Sequence, residues 1–323
     1  MTAPRPLIAA CLVAATALAA PIAHAEPLLP VRNEAAFSRS TALPTLGEAR
    51  VLDGGERAYS ARLDWSNEFV NAQTLDEALL IDGETQRVTF GLRQGVAPGV
   101  ELGIDVPLLF TNGGVLDGVI EGWHDLFNLP NGGRETRPRR QTNYRYTRNG
   151  QTLVDVTDST NGIGDVELSA GFAIRDDFAF RALAKVPTGR GSRLQGGNPG
   201  GAVWFDFDPF SDSARWFGYV SGGVSYNGDA DLLAGQQKKL VGLGGAGAGY
   251  RVLRRLSLVA QFNAHTPLYK GSSIDALSRA GGQLAFGGRI ALGPHTVLDL
   301  GVQEDVLLSS SPDFSIHIGL GFR

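Results

Sequence analysis

The stretch Asp313–Phe322, DFSIHIGLGF, decides the fold, because large apolar side chains alternate in it with small or polar ones. The large residues are Phe314, Ile316, Ile318, Leu320 and Phe322. A β-strand points successive side chains to opposite faces, so the stretch predicts a strand with one apolar face. One such segment also suits a soluble sandwich, but some ten earlier segments repeat the pattern. That repetition is typical of transmembrane barrel strands.

The alternation predicts twelve strands. They are expected at 57–69, 84–94, 100–111, 162–174, 178–186, 200–208, 215–226, 238–250, 256–267, 280–292, 296–304 and 313–322. The connections between them alternate in length, and the long ones are 70–83, 112–161, 187–199, 227–237, 268–279 and 305–312. Short turns at one end and long loops at the other are typical of outer-membrane barrels, whereas a Greek-key sandwich has no reason to sort its loops. The sequence therefore predicts an all-β, antiparallel, up-and-down transmembrane barrel with both termini periplasmic.

Residues 1–25 have the pattern of a cleaved export signal. Arg5 is followed by an apolar run and then by the small-residue site Ala23-His24-Ala25. A lipoprotein signal ending at Cys11 is the alternative, but too few apolar residues precede that cysteine. The predicted organisation is a signal peptide at 1–25, an arm at 26–56 in the periplasm or the lumen, and a barrel at 57–323.

Composition excludes several classes of protein. Without residues 1–25 the chain has 28 Lys and Arg against 33 Asp and Glu, a formal charge of −5, which argues against nucleic acid as a partner. The only cysteine, Cys11, lies in the predicted signal, so no disulfide is expected in the exported protein. No later stretch is apolar for about 18 residues, which excludes membrane-spanning helices. The expected location is the outer membrane of a Gram-negative bacterium.

The phase of the strands predicts a charged lumen. The side chains expected inside include Arg62, Asp64, Arg93, Glu101, Asp105, Asp165, Glu167, Arg181, Lys185, His265, Arg289, Asp299 and His317. Residues equidistant from a turn centre face each other. The predicted pairs of opposite charge are Arg93 with Glu101, Lys185 with Glu167, and Arg289 with Asp299. Neutralisation of a narrow core and a selectivity-setting pore lining both explain such pairs.

The connection 112–161 is far longer than an ordinary loop and is expected to contribute to function. Apolar residues at helical spacing predict a short helix before Pro130, at Val115, Val119, Ile120, Trp123 and Phe127. The candidate site residues of this loop are Trp123, His124, Asp125, Arg134, Arg137, Arg139 and Arg140. We expect the loop to fold into or across the barrel mouth, where its arginines would bind phosphate or carboxylate groups, including those of lipopolysaccharide. A solvated loop surface is the alternative.

No residue pattern identifies an enzyme. His265 and His317 are expected in the lumen, without a recognisable nucleophile motif. His124 is a candidate base, although packing or capping of the loop helix is the favoured explanation for it. The histidines and acids do not have metal-ligand spacing, so neither a metal nor another cofactor is expected.

Four segments of the chain resemble a proteobacterial outer-membrane family known only as a domain of unknown function. They are Leu29–Asn33, Ile120–Arg134 with its Trp-His-Asp motif, Asn161–Val166 and Ser311–Phe314. The family's Arg-Asn opening usually continues as Asn-Pro, whereas this chain has Glu34-Ala35-Ala36. The resemblance implies an exported barrel and no established activity.

Three hypotheses of function follow. The leading one is a porin-like channel or ligand-binding barrel for small polar or charged compounds. The second is an enzyme that modifies lipids of the outer leaflet, and the third is a structural or lipopolysaccharide-binding surface protein. The expected partners are outer-membrane lipid, lipopolysaccharide, a small polar or anionic ligand, and the barrel-assembly machinery, which would bind the C-terminal strand.

Overall fold

Alternating sequence segments form strands throughout the computed structural model, which describes residues 28–118, 120–122, 137–306 and 310–323. The strands are β1 Arg57–Gln73, β2 Glu77–Ala97, β3 Val100–Asn112, β4 Asn143–Arg148, β5 Gln151–Val156, β6 Thr160–Ile163, β7 Val166–Arg175, β8 Phe178–Val186, β9 Gly200–Phe207, β10 Trp216–Asn227, β11 Leu240–Leu253, β12 Leu256–His265, β13 Gly281–Ala291, β14 Thr296–Asp305 and β15 Phe314–Phe322. The helical elements whose bounds lie wholly within the described residues are the 3₁₀ turns Ser38–Ser40 and Arg193–Gln195 and the one-turn helix Asp275–Ser278. Among the described residues, no helix is long and apolar enough to cross a membrane.

Antiparallel pairing of β1 with β15 closes the sheet into a barrel. Strands β6 and β7 both pair with β3 and together make one wall strand, while β4 and β5 form a hairpin beside β2. The wall therefore has twelve strands, which confirms the predicted antiparallel barrel. The closing strand has the predicted faces: Ser315 and His317 are fully buried inside, and Ile318 is exposed on the outer surface.

The two ends of the barrel differ, and we name them by their connections. The turn end contains the short connections and the start of β1, and the loop end contains the long connection between β3 and β6. One predicted long loop, 70–83, is absent: β1 and β2 continue to a three-residue turn at 74–76. That prediction was wrong because Leu79 and Ile81 continue the apolar alternation of β2, and both are buried against the β4–β5 hairpin.

The lumen is filled by the segment 28–52, which we call the arm. An eight-stranded barrel is just filled by its own side chains, so a twelve-stranded one has lumenal space left over, and here the arm occupies it. Nearly all arm residues are buried or half-buried. The arm begins at mid-barrel, where Leu29 contacts Gly301 of β14, rises to the loop end at Ser38–Ser40, and returns to the turn end before β1.

The first described part of the loop after β3, residues 113–118 and 120–122, packs on the outer wall of the barrel. Residues 117, 118 and 120–122 are helical, and Leu116 and Ile120 pack against Phe314, Trp65 and Ile316, which point outward. The prediction that the loop lies in or across the mouth was wrong for these residues, whereas the β4–β5 hairpin of the same loop packs against β2 at the loop end. The physical reason is that the outward side chains Trp65, Phe314 and Ile316 offer Leu116 and Ile120 an apolar surface on which to be buried. The remaining helix positions, Val119, Trp123 and Phe127, lie outside the described residues.

Candidate functional site

The thirteen predicted lumen residues lie on the inner face of the wall. Ten of them are buried, and Arg62, Arg93 and Asp105 are half-buried. Most of the charged ones are paired with opposite charge, for example Arg62 with Asp105 at 2.8 Å, and His317 Nδ1 lies 2.6 Å from Asp64 Oδ1.

Two predicted wall pairs differ from the observed ones. Arg93 lies opposite Gly103, because a bulge between Gly95 and Ala97 shifts the register, yet its guanidinium still reaches Glu101 at 3.2 Å. Lys185 does face Glu167 across β7 and β8, but its ammonium pairs with Asp165 at 2.5 Å.

Glu167 does not pair with Lys185 because its carboxylate binds the arm instead. Its Oε1 lies 2.7 Å from Nη1 of Arg32, and Arg32 Nε lies 3.3 Å from Glu34 Oε1. The wall residue Arg87 lies 3.7 Å from Glu34 and 3.6 Å from Glu167. These four side chains, which we call the charge square, alternate in sign and join two arm residues to two wall residues in the middle of the lumen.

A second set of ionic contacts holds the arm near the turn end. Glu48 pairs with Arg93 and, at 3.4 Å, with Arg323, while Arg181 donates to the Glu48 carbonyl at 2.7 Å. Burial by itself would raise the pKa of Glu48, but Arg93, Arg181 and Arg323 lower it to about 2. The wall carboxylate Glu101 accepts a hydrogen bond from the backbone N–H of Leu52 at 2.8 Å.

Near the loop end the arm is held by backbone and amide contacts. Asn33 Nδ2 lies 2.8 Å from His265 Nε2 and donates to the Ser310 carbonyl at 2.6 Å. Because His265 Nδ1 lies 2.9 Å from the Thr266 carbonyl, the imidazole donates there and accepts from Asn33, which requires its neutral form. Glu68 accepts from the Ala36 N–H at 2.7 Å.

An apolar cap covers the lumen at the loop end. We define it by the buried side chains Phe37, Leu79, Ile81, Tyr144, Tyr146, Val154, Leu232, Leu268, Tyr269, Ile274 and Leu277. The arm reaches the cap at its 3₁₀ turn, where the Tyr269 hydroxyl donates to the Phe37 carbonyl at 2.7 Å. Three small cavities border the arm between the cap and the middle of the lumen. Each has a volume of only about 20 to 30 Å³, too small for a solute.

The turn end is open by comparison. A cavity of about 630 Å³, which we call the vestibule, lies between the returning arm and the rim of the barrel. Nine arginines and five carboxylates line it, with apolar surface from Leu46, Leu183 and Trp204. Its formal lining charge is therefore +4.

The predicted loop residues lie away from the lumen or outside the described residues. Arg137, Arg139 and Arg140 are exposed, and Arg139 pairs with Glu121 beside the outer wall, not in the mouth. Trp123, His124, Asp125 and Arg134 lie outside the described residues. Among the residues described, no group of His, Cys, Asp and Glu has the arrangement of a metal site.

The sequence did not identify the arm's own functional residues. Arg32, Asn33, Glu34 and Glu48 make several of the polar contacts between the arm and the wall. A signal for two of them existed in the family resemblance at Leu29–Asn33, which includes Arg32 and Asn33 but implies no role for them.

The chain was compared with known proteins. It is similar to the crystal structure of an outer-membrane channel from Pseudomonas putida F1, with 13% identity, a TM-score of 0.55, and coverage of 85% of this chain and 98% of that one. It also matches the NanC porin at 9% identity and a TM-score of 0.45, covering 82% of this chain and 99% of that one. The toluene transporter TbuX of Ralstonia pickettii matches at 10% identity and a TM-score of 0.41, covering 84% and 90%.

The likeness to the Pseudomonas putida channel shows the outer-membrane barrel fold and nothing finer. The comparison with curated proteins found no match. A family model, described as "Protein of unknown function (DUF3187)", matches residues 5–323. The chain therefore belongs to that family, as its resemblance predicted.

Proposed function

We propose that the protein is an outer-membrane channel for small polar or charged compounds, and that the arm closes it. The observation that supports this most is the way the lumen is filled. The wall presents a ring of charged side chains that would line a water-filled pore, and a separate segment of chain neutralises them.

The arm has the properties of a removable plug. It forms no strand with the wall, and its one regular element is the 3₁₀ turn Ser38–Ser40. It is held by discrete contacts such as Arg32 with Glu167 and Glu48 with Arg93. Breaking these contacts exposes charges that water can solvate, whereas removing a strand would unpair the backbone of the barrel. Withdrawal of the arm toward the periplasm would leave a continuous charged pore.

A reversible disulfide tests the proposal. A Cβ built at Gly200 lies 3.0 Å from the Cβ of Ala42, near the separation of about 3.5–4.5 Å in disulfides. The double variant Ala42→Cys/Gly200→Cys would tie the returning arm to β9, and the exported chain has no cysteine of its own to compete. We expect planar bilayers to show conductance for the reduced form and none for the oxidised form.

Ala42→Cys alone, measured in both redox states, is the matched control. Equal conductance of the oxidised and reduced double variant, with the disulfide verified by mass, would show that permeation does not need the arm to move. No conductance in either state, in the wild type, or in a folded variant lacking residues 28–52 would reject a channel. It would favour the structural or lipopolysaccharide-binding role, which a permanently sealed lumen suits.

A further inference from the structure

The arginines of the vestibule exceed the carboxylates that neutralise them. Among the described residues, Arg254 and Arg255 have no ion pair or side-chain hydrogen bond, and both are exposed at the rim. Deeper in the vestibule, Arg289 binds Asp299 through Nε at 2.7 Å and through Nη2 at 3.4 Å. Its Nη1 is buried and has no partner in the described part of the protein.

Arg50, on the arm, repeats this arrangement of one paired and one unpaired guanidinium nitrogen. Its Nη2 lies 3.3 Å from Glu56, while its Nη1 is buried without a hydrogen-bond partner among the described residues. A buried donor without a partner costs about 1–3 kcal/mol, so it favours an acceptor that arrives with a ligand. Because the cavity is bounded by low-dielectric walls, its excess positive charge is focused into the space that a ligand would occupy.

The remaining lining limits what the ligand is. Trp204, Leu46 and Leu183 give the vestibule apolar surface beside the guanidinium groups. Inorganic ions would leave that surface hydrated, whereas an organic anion would cover it and still present oxygens to the arginines. The planar guanidinium fork matches the two oxygens of a carboxylate.

We propose that the vestibule is a binding site for a small organic carboxylate with an apolar body. Arg50, Arg289 and the rim pair Arg254 and Arg255 bind the carboxylate, and Trp204 and its apolar neighbours contact the body. The site is present while the arm fills the lumen, so the proposal goes beyond the channel function and does not require the barrel to open.

Calorimetric titration of the detergent-solubilised protein with benzoate tests the site, with benzamide as the neutral probe of the same shape. We expect benzoate to bind and benzamide to bind at least about tenfold more weakly, because a charged hydrogen bond contributes about that factor or more. The benzoate affinity should fall about tenfold in Arg50→Gln and several-fold in Arg254→Gln/Arg255→Gln. The matched control is Arg175→Gln, which removes an exposed arginine from a neighbouring turn outside the vestibule.

Heat modifiability on gels verifies that each variant is folded, and the rim double variant keeps the test decisive if Arg50→Gln does not fold. Absence of benzoate binding, equal affinity for benzamide, or equal losses in Arg175→Gln would overturn the proposal. The titration is repeated on oxidised Ala42→Cys/Gly200→Cys. If benzoate binds the oxidised variant and no redox state conducts, the binding site is retained and the channel is rejected. If the reduced variant conducts and benzoate does not bind, the channel is retained and the binding site is rejected.

Discussion

At the loop end the lumen is covered by buried tyrosines and leucines, whereas at the turn end it opens into a cavity lined mainly by arginines. The same arm touches both regions, with Phe37 in the cap and Glu48 beside the vestibule. Burial of apolar surface is insensitive to salt, and charge pairs at a hydrated boundary are screened by it. The comparison indicates that the arm is held more firmly at its tip than at its base, and that the contacts at the base depend on salt, so any opening should begin at the turn end.

The largest expected effect comes from breaking the cap. Tyr144 is fully buried, and its ring packs closely over Gly83. Tyr144→Ala should destabilise the cap by about 3–5 kcal/mol, as for other buried aromatic residues. Trypsin should then cleave β4 after Arg145 or Arg148 much faster, at a rate that does not depend on salt.

Leu75→Ala is the matched control, because Leu75 is in the same region at the turn between β1 and β2 and is fully exposed. Equal protease resistance of Tyr144→Ala and Leu75→Ala would contradict a cohesive apolar cap. The two ends of the lumen would then not differ in the way proposed.

The charge square should give the next largest effect. Arg32→Ala leaves Glu34 and Glu167 close to each other, and breaking a buried pair costs on the order of 3 kcal/mol. The arm should leave the lumen more often, which raises the maleimide labelling rate of a cysteine at the buried position Ala42.

A double-mutant cycle with Glu167→Ala separates this pair from general damage. We expect the double variant to be less impaired than the sum of the single ones, since the remaining charges, Glu34 and Arg87, can neutralise each other at 3.7 Å. Additive losses would show that Arg32 and Glu167 do not act on each other.

Much of the wall could be predicted from the sequence, and the arm could not, for a physical reason. Strand phase is a local property, so the alternation in β15 and the facing of Arg289 and Asp299 follow from spacing alone. The arm has no period, and its partners are distant in the chain, 45 residues away for Glu48 with Arg93 and 135 residues away for Arg32 with Glu167. The failed prediction at 70–83 has a different cause. Leu79 and Ile81 continue strand β2 because the β4–β5 hairpin offers them an apolar face.

Weakening the contacts at the base of the arm should have a smaller effect, and that effect should depend on the salt concentration. Glu48 is about a quarter exposed, so Glu48→Gln should cost only about 1 kcal/mol, as for partly solvated pairs. In a protein whose only change is Ala42→Cys, the labelling rate should rise between 0.15 M and 1 M salt, because the screening length falls from about 8 Å to about 3 Å. In Glu48→Gln that rise should be smaller, and an equal rise in both would place the salt-sensitive contacts elsewhere.

The smallest expected effect is a pH dependence of arm retention, which arises from the ionisation of Glu48. The arginines around Glu48 lower its pKa from 4.5 to about 2, so its ionised form is favoured when the arm is in place. A depressed pKa stabilises the bound arm fully above about pH 4.5, and that stabilisation is lost as the pH falls toward about 2. The labelling rate at position 42, measured with a probe that reacts in acid, should therefore rise in this window for the wild type and rise less for Glu48→Gln. Glu56→Gln, which removes a more exposed carboxylate from the same region, should follow the wild type. If Glu48→Gln keeps the full acid response, carboxylates other than Glu48 hold the base of the arm. The difference between the two ends of the arm would then depend on the charge square instead of on Glu48.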